Sequence, residues 1–212
     1  AWALSRRPGS NFAVFLLMIR AMPLVFLVPA LRADSNAQII PNGDAVQVLI
    51  GGIWQSVATP QVVKGPLMIR TGASRATVIL NSDGVFRLEP DTTFKLHDIG
   101  DARSSIRPTA NLIRGQVWIL GLVAPLDDAI SVETSRGTVS INSGSASVSD
   151  DGTTAVVTVY DRGATFQSDT QTSLLVAGEQ GVARSGSSLA LVTIPTRAFT
   201  AAGVSGNLQQ DA

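Results

Sequence analysis

Apolar and polar residues alternate along most of the chain after residue 38, and short turn-forming segments separate the alternating stretches. The clearest case is residues 67–96, where the alternation continues on both sides of Asp83-Gly84. Strict alternation places one set of side chains on each face of a strand, and an Asp-Gly pair between two such runs is typical of a hairpin. The pattern therefore predicts a β-hairpin with one buried face, in which Asp83 and Gly84 form the structural turn.

Glycine turns recur through the rest of this region, and strand-length segments rich in Val, Ile and Thr lie between them. No helical periodicity of useful length occurs after the N-terminal segment. This organisation predicts an all-β domain, a sandwich or β-roll with about a dozen short strands. The predicted strands include Val46–Ile50, Ala76–Leu80, Val117–Leu120, Val139–Asn142, Thr154–Tyr160 and Leu189–Ile194.

The N-terminal region has a different pattern, an apolar segment over residues 11–31 that is interrupted by Arg20. About twenty apolar residues match the hydrocarbon core of a bilayer. One interpretation is a signal peptide cleaved near Leu31-Arg32-Ala33, and the other is a single retained transmembrane helix. We favour the retained anchor. Arg20 would cost about 3 kcal/mol inside the membrane, so it is expected to meet a partner subunit or a lipid head group.

Three further residues ahead of this segment are candidates for membrane contact. Trp2 beside Arg6 and Arg7 is typical of side chains at the headgroup level on the inner side of a membrane. The alternative interpretation of Trp2 is a disordered terminus. We therefore predict membrane or partner contacts at Trp2, Arg6, Arg7 and Arg20, with integral-membrane proteins and membrane lipid as the partners.

These patterns divide the chain into five successive segments. Because the linker is short, the β domain is expected to lie close to the membrane surface. The predicted segments are a short cytoplasmic N-terminus (1–10), a transmembrane anchor or uncleaved signal-like helix (11–31), a polar linker (32–37), the β domain (38–195) and a small, flexible tail (196–212).

A series of segments in fixed order extends the pattern of the first hairpin. It consists of Thr71-Gly72-Ala73 with the hairpin that follows, Leu112–Val117, Ile130–Val139, Val156–Gly163 and Leu175–Gln180. Over roughly residues 40–185 this series resembles the FecR-like domain, a periplasmic β domain of bacterial envelope proteins. The chain departs from that family at Ser143-Gly144-Ser145-Ala146, where the family carries a Gly-Thr pair ahead of an aromatic residue. The resemblance implies a bacterial inner-membrane protein with its β domain in the periplasm.

The composition excludes most catalytic chemistry. Lys+Arg 16 balance Asp+Glu 16, so no net charge attracts nucleic acid. The chain has no Cys, and His97 is its one histidine, which excludes thiolate chemistry and sites built from paired histidines. No nucleotide-binding loop and no nucleophile elbow occurs in the sequence. We therefore expect no enzyme activity, no cofactor, no metal, no nucleotide and no nucleic acid.

The remaining candidates for chemistry are paired carboxylates and tryptophans. Asp127-Asp128 and Asp150-Asp151 occur at turn signals, and we interpret both pairs as solvated loops, because adjacent strand residues point to opposite faces. Calcium binding by the second pair with Asp161 is a disfavoured alternative, since the spaced carboxylates of a calcium loop are missing. Trp54 and Trp118 fall within strand-like segments and are expected to be core or interface anchors.

Three functional interpretations remain at this point. The favoured one is a non-enzymatic accessory or scaffolding subunit of a larger integral-membrane complex, with respiratory or photosynthetic assemblies as candidate hosts. The alternatives are envelope signalling of the FecR type and glycan binding. Regulators of the FecR type carry a cytoplasmic anti-sigma domain ahead of the membrane helix, whereas residues 1–10 alone precede the apolar segment in this sequence. That difference is our reason for placing signalling second.

Overall fold

The computed structural model describes residues 36–80, 84–99, 107–121 and 130–194, and these residues form sixteen β-strands and no helix. The strands are β1 (Asn36–Asn42), β2 (Gln47–Ile50), β3 (Ile53–Ser56), β4 (Gln61–Lys64), β5 (Leu67–Arg70), β6 (Arg75–Leu80), β7 (Gly84–Leu88), β8 (Thr93–Asp98), β9 (Thr109–Gly121), β10 (Ile130–Thr134), β11 (Gly137–Ile141), β12 (Gly144–Asp150), β13 (Thr154–Ser168), β14 (Thr172–Val176), β15 (Glu179–Arg184) and β16 (Ala190–Thr193).

The strands form two layers. In the first layer the order is β4-β1-β6-β7-β9-β12-β13-β15-β16, and every neighbouring pair is antiparallel. In the second layer the order is β3-β2-β5-β8-β9-β10-β11-β13-β14, in which the β9–β10 pair alone is parallel. The predicted all-β class is therefore confirmed for the described residues, as a sandwich of two mainly antiparallel layers.

Two long strands, β9 and β13, belong to both layers. The first half of β9 pairs with β8 and β10, and its second half, from Gly115 onward, pairs with β7 and β12. β13 begins in the first layer and continues from Gly163 into the second, where it pairs with β11 and β14. Strands that pass from one sheet to the other make the corners of such a sandwich. The two layers are therefore joined by continuous hydrogen-bonded strands.

The corner in β9 depends on Gly115. Its φ is +103°, a conformation that disfavours residues with a side chain. A Cβ on this residue would also lie 2.6 Å from the Cα of Thr92. The alternation of buried residues changes phase here, from Ala110 and Leu112 to Val117 and Ile119. The bend thus turns the opposite face of the strand toward the core.

The core lies between the two layers and is built from the alternating apolar positions of both. Phe86 on β7 and Phe94 on β8 are fully buried, and their ring centroids lie 5.0 Å apart at an interplanar angle of 57°. Because β7 and β8 belong to different layers, this tilted aromatic pair is a direct contact between them. Phe166, on the second-layer part of β13, is also fully buried.

The hairpin predicted from residues 67–96 is confirmed. β6 and β7 pair in antiparallel register, with Leu80 opposite Gly84, and β7 is followed by β8. Gly84 is the first residue of β7, and its φ lies outside the positive range. Asp83 lies outside the described residues. The need for glycine at position 84 comes from packing, because a Cβ there would lie 2.8 Å from the carbonyl oxygen of Leu120 and would overlap the side chain of Ile130.

The predicted N-terminal helix and C-terminal tail, residues 11–31 and 196–212, lie outside the described residues. Within the described part of the chain, no helix has the length and apolar character to cross a membrane. Six strands were predicted with bounds, and the structure has a strand at each place. Two of them are much longer than predicted, since β9 and β13 continue through their corners.

The close approach at Gly84 predicts that Gly84→Ala destabilises the domain. The added methyl group must displace Ile130 and the backbone of β9, so the free energy of unfolding should fall by about 1–3 kcal/mol in chemical denaturation. Gly163→Ala is the matched control, because Gly163 also has no positive φ and its Cβ would lie 3.1 Å from the carbonyl of Leu175. Equal stability losses in the two variants would contradict the packing explanation.

Candidate functional site

A cleft of about 520 Å³ opens beside the Gly115 corner. Three segments line most of it: Glu89-Pro90-Asp91 after β7, Arg114-Gly115-Gln116 in β9, and Ser149-Asp150-Asp151 at the end of β12. Thr154 and Val156 of β13 complete the lining. The cleft is therefore formed where a long strand changes layers, and most of the residues that line it carry polar or charged side chains.

Two buried threonines hold one wall of the cleft in place. The hydroxyl of Thr71 accepts a hydrogen bond from the backbone N–H of Thr92 at 2.9 Å and donates to the carbonyl of Glu89 at 2.7 Å. The hydroxyl of Thr92 accepts from the N–H of Gln116 and donates to its carbonyl, both at 3.1 Å. Both side chains are almost fully buried. These bonds tie the 89–92 segment to β5 and to the corner in β9.

Glu89 connects the cleft to the outer face of the first layer. Its carboxylate pairs with Arg75 at 2.7 Å and accepts a hydrogen bond from the indole N–H of Trp118 at 3.0 Å. Trp118 stacks on Tyr160, with ring centroids 4.9 Å apart, and the Tyr160 hydroxyl lies 3.1 Å from the hydroxyl of Ser147. The Glu89 carboxylate is thus held by a cation and an indole.

Asp150 forms the opposite wall and overturns one prediction. It is only 2% exposed, so it is not the solvated loop residue that we expected from its place beside a turn. Its carboxylate accepts hydrogen bonds from the N–H of Gly152 at 2.7 Å, the hydroxyl of Ser135 at 2.8 Å and the N–H of Ser135. A buried carboxylate needs such donors, and these bonds join the end of β12 to the β10–β11 turn.

Asp151, by contrast, is an exposed turn residue, as expected. Its carboxylate accepts hydrogen bonds from the hydroxyl and N–H of Thr153 and from the N–H of Thr154. These bonds, the hydroxyl of Thr153 first, lower the pKa of Asp151 below its ordinary value, and the charge of Arg136 adds to the effect. The guanidinium of Arg136 itself donates to the carbonyls of Gly152 and Thr153, both at 3.0 Å.

The chemistry that this arrangement supports is recognition by charge and hydrogen bonding. The three best-connected carboxylates, those of Glu89, Asp150 and Asp151, each hold part of the fold together. Within the described residues, no group of three or more His, Cys, Asp or Glu side chains is arranged to hold a metal ion. Arg114 and Asp91 add exposed charges of opposite sign at the rim.

The structure describes few of the residues that the sequence singled out. Gly84 is located as given above, whereas Trp2, Arg6, Arg7, Arg20, Asp83, Asp127 and Asp128 lie outside the described residues. Trp54 and Trp118 are only partly buried, on outer faces of the layers, and do not belong to the core. Sequence reasoning missed the cleft. The available signal was Gly115, since a glycine inside an otherwise strand-like run often marks a bend.

Comparisons with known proteins identify solved structures with a similar fold. Two crystal structures of a proposed anti-sigma factor from Parabacteroides distasonis superpose on this chain with TM-scores of 0.55 and 0.54, each at 14% sequence identity. The matches cover 64% and 63% of this chain, and the chain spans 63% and 62% of the length of those structures. No protein-family model matches the sequence, and no curated protein matches it. At this identity, the likeness shows a shared fold.

The threonine pair predicts a loss of stability in Thr71→Val. The variant keeps the shape of the side chain but leaves the buried N–H of Thr92 without its hydroxyl acceptor, so unfolding should become easier by about 1–3 kcal/mol. Thr77→Val on β6, a half-buried position, should change stability by no more than about 0.5 kcal/mol. A Thr71→Val protein as stable as the Thr77→Val control in urea denaturation would show that the hydroxyl network is dispensable.

The hydrogen bonds to Asp151 predict a pH-dependent contribution to stability. Since its pKa is lower in the folded state than its ordinary value of 3.8, the stabilisation is present above about pH 3.8 and is lost as the pH falls through the folded-state pKa. Asp151→Asn should therefore be less stable than the wild type near neutral pH, and the difference should shrink in acid. A difference that stays constant across a pH series of denaturation curves would refute this.

Proposed function

We propose that this chain is a non-enzymatic recognition domain of the FecR type that acts in bacterial envelope signalling. The observation that carries the proposal is the fold, which the described residues share with a proposed anti-sigma factor over 64% of the chain. The ordered strand-and-turn series from Thr71 to Gln180, which resembles the FecR-like domain, supports the proposal from the sequence. Regulation of this kind works through contacts between proteins.

The cleft at the Gly115 corner supports recognition of a protein segment. Its walls are fixed by buried hydrogen bonds, so it is preformed and loses little entropy when it is filled. Its lining contains no aromatic side chain, and aromatic faces are what a sugar ring stacks on. The lining therefore favours a polar peptide segment over a glycan as the bound partner.

The proposed location follows from the apolar segment. Residues 11–31 would anchor the chain in the inner membrane, residues 1–10 would lie in the cytoplasm, and the β domain would lie in the periplasm. Residues Trp2, Arg6, Arg7 and Arg20 would contact lipid or an integral-membrane partner. The accessory-subunit interpretation, which we favoured from the sequence, gains no support from the shared fold. We therefore rank envelope signalling ahead of the accessory-subunit interpretation.

The proposal predicts that a change in the cleft alters transcription. Arg114→Glu reverses an exposed charge at the rim of the cleft, whereas Arg184→Glu reverses an exposed charge at the end of β15. In cells that lack the chain, a small set of transcripts should change. Wild type and Arg184→Glu should restore those transcripts, and Arg114→Glu should not, at equal protein levels.

Two results would argue against this function. If removal of the chain leaves transcription unchanged, envelope signalling is wrong. If mild detergent then extracts the chain in fixed stoichiometry with the subunits of an integral-membrane complex, as judged by mass spectrometry, the accessory-subunit interpretation is the better one. The third result concerns cells whose transcription does depend on the chain. If both charge-reversal variants restore the transcripts equally in those cells, the recognition site lies outside the cleft.

A further inference from the structure

An apolar edge runs along one side of the sandwich, where β3 and β4 end the two layers. Among the described residues, β3 pairs only with β2, and β4 pairs only with β1. Three large apolar side chains are exposed there: Ile50 is 48% exposed, Ile53 67% and Val62 63%. Ile50 and Ile53 flank the Gly51-Gly52 turn at the tip of the β2–β3 hairpin. We call Ile50, Ile53 and Val62 the apolar edge.

Two cations lie on strands at or near the apolar edge: Lys64 ends β4 and Arg70 ends β5. Asp44, in the β1–β2 turn, is the one acidic residue between positions 36 and 80. The guanidinium of Arg70 lies 4.2 Å from the ring centroid of Trp54, the neighbour of Ile53. Across the second layer from the hairpin, the first carboxylate is Asp98 on β8, which accepts a hydrogen bond from Thr109. Two cations, Lys64 and Arg70, thus border exposed aliphatic side chains and one indole.

The ladder registers place the hairpin tip at the end of the sandwich where β1 begins. Lys64 at the end of β4 lies opposite Asn36 at the start of β1. β5 starts at Leu67, directly after the Gly65-Pro66 turn, and runs antiparallel to β2, so the tip that follows Ile50 lies at the same end. In the sequence, four residues, 32–35, separate residue 31, the last of the apolar segment, from the start of β1. Four residues span at most about 14 Å.

We propose that the apolar edge, led by the hairpin tip, is a lipid-contacting surface that inserts into the headgroup region of an anionic bilayer. Exposed aliphatic side chains can be buried at the boundary between head groups and acyl chains, with an indole at headgroup level. Lys64 and Arg70 complement anionic head groups. The proposal rests on the membrane location given under the proposed function, and it identifies the face of the β domain that meets the membrane.

The sequence contains no cysteine, so a single cysteine introduced by mutation is the one site that a thiol-reactive fluorophore labels. The proposal can therefore be tested directly. The probe is an environment-sensitive fluorophore on Ile53→Cys in the full chain, reconstituted into phosphatidylcholine–phosphatidylglycerol vesicles. Leu174→Cys is the matched control, since Leu174 is 69% exposed, lies on β14 at the opposite edge of the second layer, and is also aliphatic. Val62→Cys, on β4, provides a second label on the apolar edge.

We expect labels at 53 and 62 to shift their emission to the blue in vesicles and to be quenched by a nitroxide carried on lipid. The label at 174 should be quenched only by a water-soluble agent. Quenching of the first two labels by the aqueous agent alone overturns the lipid-contacting surface while leaving the membrane anchor and the signalling function standing. Shielding from both quenchers shows a protein or a second copy on the edge and also overturns it. Failure of the chain to associate with vesicles overturns the proposed location itself.

Discussion

The sandwich depends on pairing every backbone polar group where β9 leaves one layer and enters the other. At such a bend the ladder is interrupted, and an unpaired N–H or carbonyl buried there would be costly. The hydroxyl of Thr92 bonds both backbone groups of Gln116, the hydroxyl of Thr71 holds the 89–92 segment beside them, and Gly115 gives the backbone both the room and the φ value that the bend requires. Three residues of modest size therefore allow one strand to serve two sheets.

The same bonds that satisfy the backbone also form the cleft. The 89–92 segment is held by the threonines, and the facing segment is held by Asp150, which uses donors from two different turns. Hydrogen bonds consequently hold each wall of the cleft to the neighbouring parts of the sandwich. The carboxylates of Glu89, Asp150 and Asp151 make hydrogen bonds within the fold, whereas Arg114 is exposed where it lines the cleft.

Much of this fold can be predicted from the sequence, and what is missed has a physical reason. Alternation located the β6–β7 hairpin, the second half of β9 and the first half of β13. It failed at β9 and β13 because the phase of burial reverses at their bends, from Val157 and Val159 to Ala164 and Phe166 in β13, and a reversed phase looks like the end of a strand. Asp150 was misassigned because local turn chemistry does not reveal that a distant turn, at Ser135, covers it.

The position of β1 has a mechanical consequence. This first strand lies between β4 and β6 and is hydrogen-bonded to both over most of its length. Tension applied along its axis, from the chain ahead of Asn36, loads the two ladders in shear, so that many hydrogen bonds must break together. An edge strand such as β16 would instead peel away one bond at a time when pulled sideways. The two ladders of β1 therefore let the domain resist a force that is applied through the chain ahead of Asn36.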